Sequence, residues 1–155
     1  MKEFILNRDE INCLKNIAHW RCKGKVNIVT DFSRTLGDYD GTFESHFLGV
    51  VGEYIVSKHL NGFFDFMPSI IGDKHKADII VGIHGDVRIA VKTTKYAPPI
   101  LKVNHMQEIE DCTHLALCHY KEPKATIHWV KSKNYFLKHK FKQDFGYGER
   151  MCLGT

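Results

Sequence analysis

The chain predicts a mixed α/β (α+β) fold, one central mixed sheet with helices packed on it, in a single domain over residues 1–155. Three observations carry this. Two stretches of helical periodicity open the sequence, short β-branched runs between glycine-containing turns follow, and the remainder alternates strand-like and helix-like segments. A length of 155 residues suits one sizeable core, and 43% hydrophobic with 26% charged residues is a globular composition.

Residues 9–23 read as the first helix, with Ile11, Leu14, Ile17, Ala18 and Trp20 on its apolar side. Asn7 or Asp9 caps its start, and Gly24 stops it. Residues 31–42, with Gly37, Asp38, Asp40 and Gly41, read as a polar loop. A second helix runs from Thr42 to Leu60 and ends at Asn61-Gly62. Its core stripe is Phe47, Val50, Val51, Tyr54 and Ile55, with Gly49, Gly52 and Glu53 off it. Two helical glycines each cost about 1 kcal/mol relative to alanine, so a close approach of backbone or ligand beside Glu53 is expected.

Phe63–Met67, Ala77–Ile83 and Val87–Thr93 read as strands. Residues 102–111 read as a helix, Leu115–Tyr120 and Thr126–Lys131 as strands, 132–140 as a last helix, and Gly146-Tyr147-Gly148 as a closing turn.

Twenty-two Lys+Arg against 18 Asp+Glu leave a formal charge of +4, which permits a polyanionic partner without demanding one. No apolar run is long enough to span a membrane, and Met1-Lys2-Glu3-Phe4 lacks the apolar stretch of a signal peptide. The five cysteines, Cys13, Cys22, Cys112, Cys118 and Cys152, are odd in number and form no CxxC pair. Reduced thiols in a cytoplasmic protein are the simplest expectation.

The stretch that carries chemistry is Lys76-Ala77-Asp78 followed by Arg88-Ile89-Ala90-Val91-Lys92. A three-residue turn at His84-Gly85-Asp86 would set Asp78 opposite Lys92 and Ile80 opposite Ala90. Asp78, Ala90 and Lys92 then share one sheet face, and Ile79, Val81, Ile89 and Val91 the other. An even loop would separate Asp78 from Lys92. A carboxylate and a lysine on one face, with the helix glutamate Glu53 nearby, suit metal-assisted phosphodiester hydrolysis. Carboxylates are natural ligands for Mg²⁺ or Mn²⁺, and the ion activates a water and stabilises charge on phosphorus. A lysine beside it orients the water or offsets phosphate charge.

At these residues the sequence resembles the PD-(D/E)xK nuclease superfamily, the restriction-endonuclease-like fold that also includes Holliday-junction resolvases. Asp78 matches the first acid, Lys92 the lysine, and Glu53 within Gly49-Val50-Val51-Gly52-Glu53-Tyr54-Ile55-Val56 the preceding helix glutamate. The motif covers residues 44–96. The resemblance implies an endonuclease on DNA, with RNA as the alternative, in which Asp78 and Glu53 serve the metal and the Val91 carbonyl completes its shell. Lys92 would position the attacking water. Many nucleases of this fold cut two strands as homodimers, and a small stand-alone nuclease suits a phage or mobile element.

The resemblance puts the second acid at position 90, where this chain has Ala90. An inactivating Glu→Ala or Asp→Ala substitution is one explanation. Migration of the acid to Asp73, Asp86 or Glu108 is another, and a natural binding relic is the third. A lone alanine in an otherwise complete motif favours the first, so cleavage is expected to be reduced or absent, and Ala90→Glu to restore it. A noncatalytic nucleic-acid- or protein-binding module on the same fold is the alternative function.

Cys112, His114, Cys118 and His119 have the residue types of a zinc site, but Cys118 and His119 point to opposite faces of a strand. Residues 121–142 hold seven lysines against the single acid Glu122, with Trp129, Tyr135 and Phe136 interleaved. Lys131, Lys133, Lys138 and Lys140 from this stretch, with Lys95 and Tyr96 past the motif, are the expected nucleic-acid contacts. Gly148-Glu149-Arg150 is a candidate closure over the cleft.

Overall fold

The computed structural model describes residues 1–26, 43–64, 77–146 and 148–155, with residues 22–26 as backbone alone. The predicted loop 31–42 and Asp73 lie outside the described residues. The elements are β1 (Lys2–Ile5), α1 (Arg8–Val26), α2 (Phe43–Leu60), β2 (Phe63–Phe64), β3 (Ile79–Val81), β4 (Val87–Thr94) and β5 (Ile100–Val103). A 3₁₀ turn (Met106–Ile109), β6 (His114–Lys121), β7 (Lys124–Ser132), α3 (Lys133–His139), β8 (Phe141–Asp144) and β9 (Glu149–Gly154) complete the chain.

Helix α1 begins in a reciprocal cap: the Asn7 side chain accepts from the Glu10 N–H and the Glu10 carboxylate from the Asn7 N–H, both at 2.9 Å. It runs through Gly24 to Val26 rather than stopping at the glycine, a tolerable cost in a final turn. Trp20 is 61% exposed and is not on the buried side. Helix α2 ends as expected, with Asn61 left-handed (φ 50°) and the Gly62 N–H reaching the Ser57 carbonyl at 2.9 Å. Its burial is wider than a stripe and includes Gly52, Glu53, Val56 and Ser57, because α1 packs on α2 while α2 packs on the sheet.

The main sheet is six-stranded, in the order β1-β7-β6-β4-β3-β2. Among the described strands only the β4–β6 pair is parallel; the rest are antiparallel. A second, three-stranded sheet has the order β5-β9-β8. Strand β1 was not expected from the sequence. The predicted helix 102–111 is instead β5 and the 3₁₀ turn, with the β-branched Ile100 and Val103 in the strand.

Two apolar clusters lie on the two faces of the main sheet. Ile79, Ile89, Val91, Ala116 and Cys118 pack with α1 and α2. Ala90, Leu115 and Leu117 pack instead with Leu101, Val103, Ile109, Phe136 and Leu153 of the second layer. The result is a mixed sheet between a helical layer and a layer of small sheet, 3₁₀ turn and α3. No described helix is long and apolar enough to cross a membrane.

Candidate active site

Strands β3 and β4 pair with Ile79 opposite Ile89 and Val81 opposite Val87. The connection is therefore Gly82–Asp86, two residues longer than the expected turn, with Gly82 and Gly85 at positive φ. Continuing that register puts Asp78, just before β3, level with Ala90 rather than Lys92. A slip of two keeps every side chain on its face. The clusters bear this out: Ile79, Ile89 and Val91 lie under α2, while Ala90 faces the second layer.

The Asp78 carboxylate accepts the Val91 N–H at 2.6 Å. Its own N–H donates to the Ile89 carbonyl at 3.0 Å, fixing the residue at the mouth of the β3–β4 pair. Burial pushes its pKa up. The Val91 hydrogen bond and the charges of Lys92 and Arg21 pull it back, while the Glu108 charge pushes it further up.

Lys92 does not bridge to Asp78. Its ammonium pairs with Glu108 Oε2 at 2.8 Å, from the 3₁₀ turn in the second layer. Both groups are partly buried. Glu108 was one of three weak candidates for the displaced acid, and it stands at the lysine.

Glu53 is held from the helical layer. Its two oxygens take the Arg21 guanidinium at 2.9 and 2.7 Å, the parallel fork that gives arginine–carboxylate pairs their strength. Arg21 was not read from the sequence, because 32 positions separate the pair and no local pattern joins them. As folded, the Glu53 carboxylate pairs with Arg21. The glycine beside it has a packing reason: a Cβ on Gly52 would collide with the Thr93 hydroxyl and come within 3.0 Å of Val91 Cγ1, so α2 lies directly on β4.

Asp78 thus feels the charge of Arg21, which pairs with Glu53, and of both members of the Lys92–Glu108 pair. Ala90 contributes no ligand atom and is 4% exposed within the second apolar cluster, so a longer side chain there has packed neighbours to displace. Among the described residues, no three His, Cys, Asp or Glu side chains gather to hold a metal. Mg²⁺ is commonly held by one or two carboxylates, with waters and phosphate completing its shell.

The zinc candidates do not assemble. The Cys112 thiol is buried against the Ile109 carbonyl at 3.2 Å, His114 Nδ1 lies 3.0 Å from the Thr113 hydroxyl, and Cys118 is in the helix-side core. Glu149 and Arg150 of the Gly148-Glu149-Arg150 segment pair with Asp144 and Gln143 in the second sheet.

The seven lysines of 121–142 divide between two places. Lys121 and Lys124 sit at the tip of the β6–β7 hairpin, and Lys131 lies about 23 Å further along β7. Lys133 donates to the Ile109 and Glu110 carbonyls at 3.2 and 2.8 Å, tying the start of α3 to the end of the Glu108 turn. Lys138 and Lys140 are exposed. Lys95 pairs with Glu44 at 2.8 Å and Tyr96 is exposed. Lys95 lines a groove of about 560 Å³ with Lys15, Phe47, His119 and Tyr120, away from Lys92 and Glu108.

No family model matches this chain, and the search of curated proteins finds no match either.

Proposed function

We propose that this chain is a metal-dependent phosphodiesterase acting on nucleic acid, an endonuclease on DNA, built on a restriction-endonuclease-like form of the mixed sheet. The supporting observation is the charge of the site. Among the described residues, the cations Arg21 and Lys92 and the carboxylates Asp78, Glu53 and Glu108 leave one negative charge in excess when Asp78 is ionised. A phosphodiester meets repulsion there until a divalent cation reverses the sign. Mg²⁺ or Mn²⁺ would be held by Asp78 and Glu108, and supplies a water of lowered pKa and a positive charge beside phosphorus. Lys92 delivers an ammonium to the same face, suited to orienting a water or a phosphate oxygen. Glu108 takes the part that Ala90 cannot play.

The test is cleavage of supercoiled and branched DNA with Mg²⁺, Mn²⁺ or EDTA. Cleavage that EDTA abolishes, and that falls by about a hundredfold or more in each of Asp78→Asn, Glu108→Gln and Lys92→Met, is the expected result. Equal cleavage by all three variants would exclude this site.

The second reading is a noncatalytic nucleic-acid-binding module. The observation favouring it is that Glu53 and Glu108 already hold cationic partners. It requires binding that weakens with salt but ignores both Mg²⁺ and Asp78→Asn.

A further inference from the structure

Strand β7 and helix α3 meet in a line of rings and cations. The Lys131 ammonium lies 5.1 Å from the Trp129 ring centre and 4.2 Å from that of Tyr135. Tyr135 in turn stacks on His139, one helical turn later, with centroids 4.3 Å apart and planes 31° from parallel. Trp129 is anchored by its indole N–H, which donates to the Gly154 carbonyl at 3.2 Å. The core work of α3 is done by its neighbour Phe136, fully buried, while Tyr135 is 40% exposed.

The chain that forms this face is basic, although Lys142 pairs with Glu149 at 3.0 Å. Residues 131–143 contain five lysines and one histidine and no acid. Among the described residues Lys131, Lys138 and Lys140 take part in none of the ion pairs, whereas the lysines of the groove near Lys95 face Glu44 and Glu122. Lys133 joins the face to the turn carrying Glu108, so the two surfaces adjoin.

We propose that this face binds an unpaired nucleic-acid strand, with Lys131, Lys138 and Lys140 on phosphates and the Tyr135–His139 stack against bases. A phosphodiester chain satisfies the lysines of any such surface, but exposed rings gain nothing from bases already stacked in a duplex. The inference rests on the nucleic-acid reading above, and it extends that reading to a substrate with a single-stranded arm beside the cleaved bond.

The test is fluorescence anisotropy in EDTA, where cleavage plays no part. The probes are an oligothymidylate of about 16 nucleotides, its uridylate counterpart and a duplex of equal length. The expected result is tighter binding of the unpaired strands, weakened about tenfold by Tyr135→Leu and by His139→Ala, kept by Tyr135→Phe, and unchanged for the duplex. Lys138→Glu should weaken all three probes and flatten the salt dependence. A thermal melt of each variant separates lost binding from lost folding. Wild-type-like binding of the unpaired probes by folded Tyr135→Leu, or equal losses on the duplex, would overturn the proposal. So would failure of the parent to bind an unpaired strand. Metal-dependent cleavage of duplex DNA is judged separately and survives any of these results.

Discussion

Asp78 and Glu10 are two carboxylates that this fold treats in opposite ways. Glu10, in the first turn of α1, accepts the Tyr54 hydroxyl at 2.6 Å, the Lys58 ammonium at 2.9 Å and the Asn7 N–H at 2.9 Å. Those bonds, the Tyr54 hydroxyl foremost, bring its pKa down to about 2. Asp78 accepts one backbone N–H and has its nearest cations committed to other acids, and burial drives its pKa up. The first carboxylate is bonded for stability and joins α1 to α2. The second is held in an environment that resists its charge, an expense in stability that is common where a group is kept for binding or reaction.

Ala90→Glu tests that contrast most severely. It adds a second carboxyl level with Asp78, into a position packed by the second-layer cluster. Overpacking and an added buried acid together should cost about 3 kcal/mol, read as a lower urea midpoint. The sequence alone led to the opposite expectation, a repaired active site. A variant as stable as the parent that also gains EDTA-sensitive cleavage would show that the cleft has room at position 90, and would return the missing-ligand account.

Asp78→Asn should have a smaller effect, of the opposite sign at neutral pH. Because burial holds the folded-state pKa above the ordinary aspartate value of 3.8, the protonated form is favoured by folding. The charged form therefore weakens the native state as pH rises past 3.8. Asparagine can still accept the Val91 N–H and carries no charge. The variant should melt higher than the parent at pH 7, with the gap closing as pH falls to 3.8 and below. A lower melting temperature at pH 7 would mean that Lys92 and Arg21 outweigh burial, and the contrast with Glu10 would dissolve.

The sequence read the shared face of Asp78 and Lys92 correctly although it placed the turn wrongly. A strand's period of two forgives an error of two residues, and the loop was misjudged by that amount. The two helices and the strands β6 and β7 were legible from local pattern alone, though the pairing of those strands was not. Arg21 and Glu108 were harder, because they reach Glu53 and Lys92 across 32 and 16 positions from separate layers. Such partners are set by packing between elements, and single-sequence periodicity carries none of it. The lysines of 121–142 are neighbours in sequence but not in space: Lys121 and Lys124 sit at the tip of the β6–β7 hairpin, while Lys131 lies towards its other end, next to α3.

Tyr54→Phe is the mildest probe and addresses the other carboxylate. It removes the hydroxyl that contributes most to the low pKa of Glu10 and leaves Lys58 and the Asn7 cap in place. The loss at pH 7 should be about 1.5 kcal/mol, the low end for one hydrogen bond to a charged group. The pH dependence follows from the sign of the shift. A carboxylate whose folded pKa is lowered gives stability that is present above the unfolded value of 4.5 and is lost as pH falls towards about 2. Without the hydroxyl, the folded pKa rises towards 4.5 and this loss shrinks. Parent and variant stabilities should therefore converge between pH 4.5 and 2, while Asp78→Asn and its parent should converge on approaching pH 3.8 from above. Parallel curves for Tyr54→Phe and parent across that acid window would mean that Lys58 and the Asn7 cap alone hold Glu10 ionised.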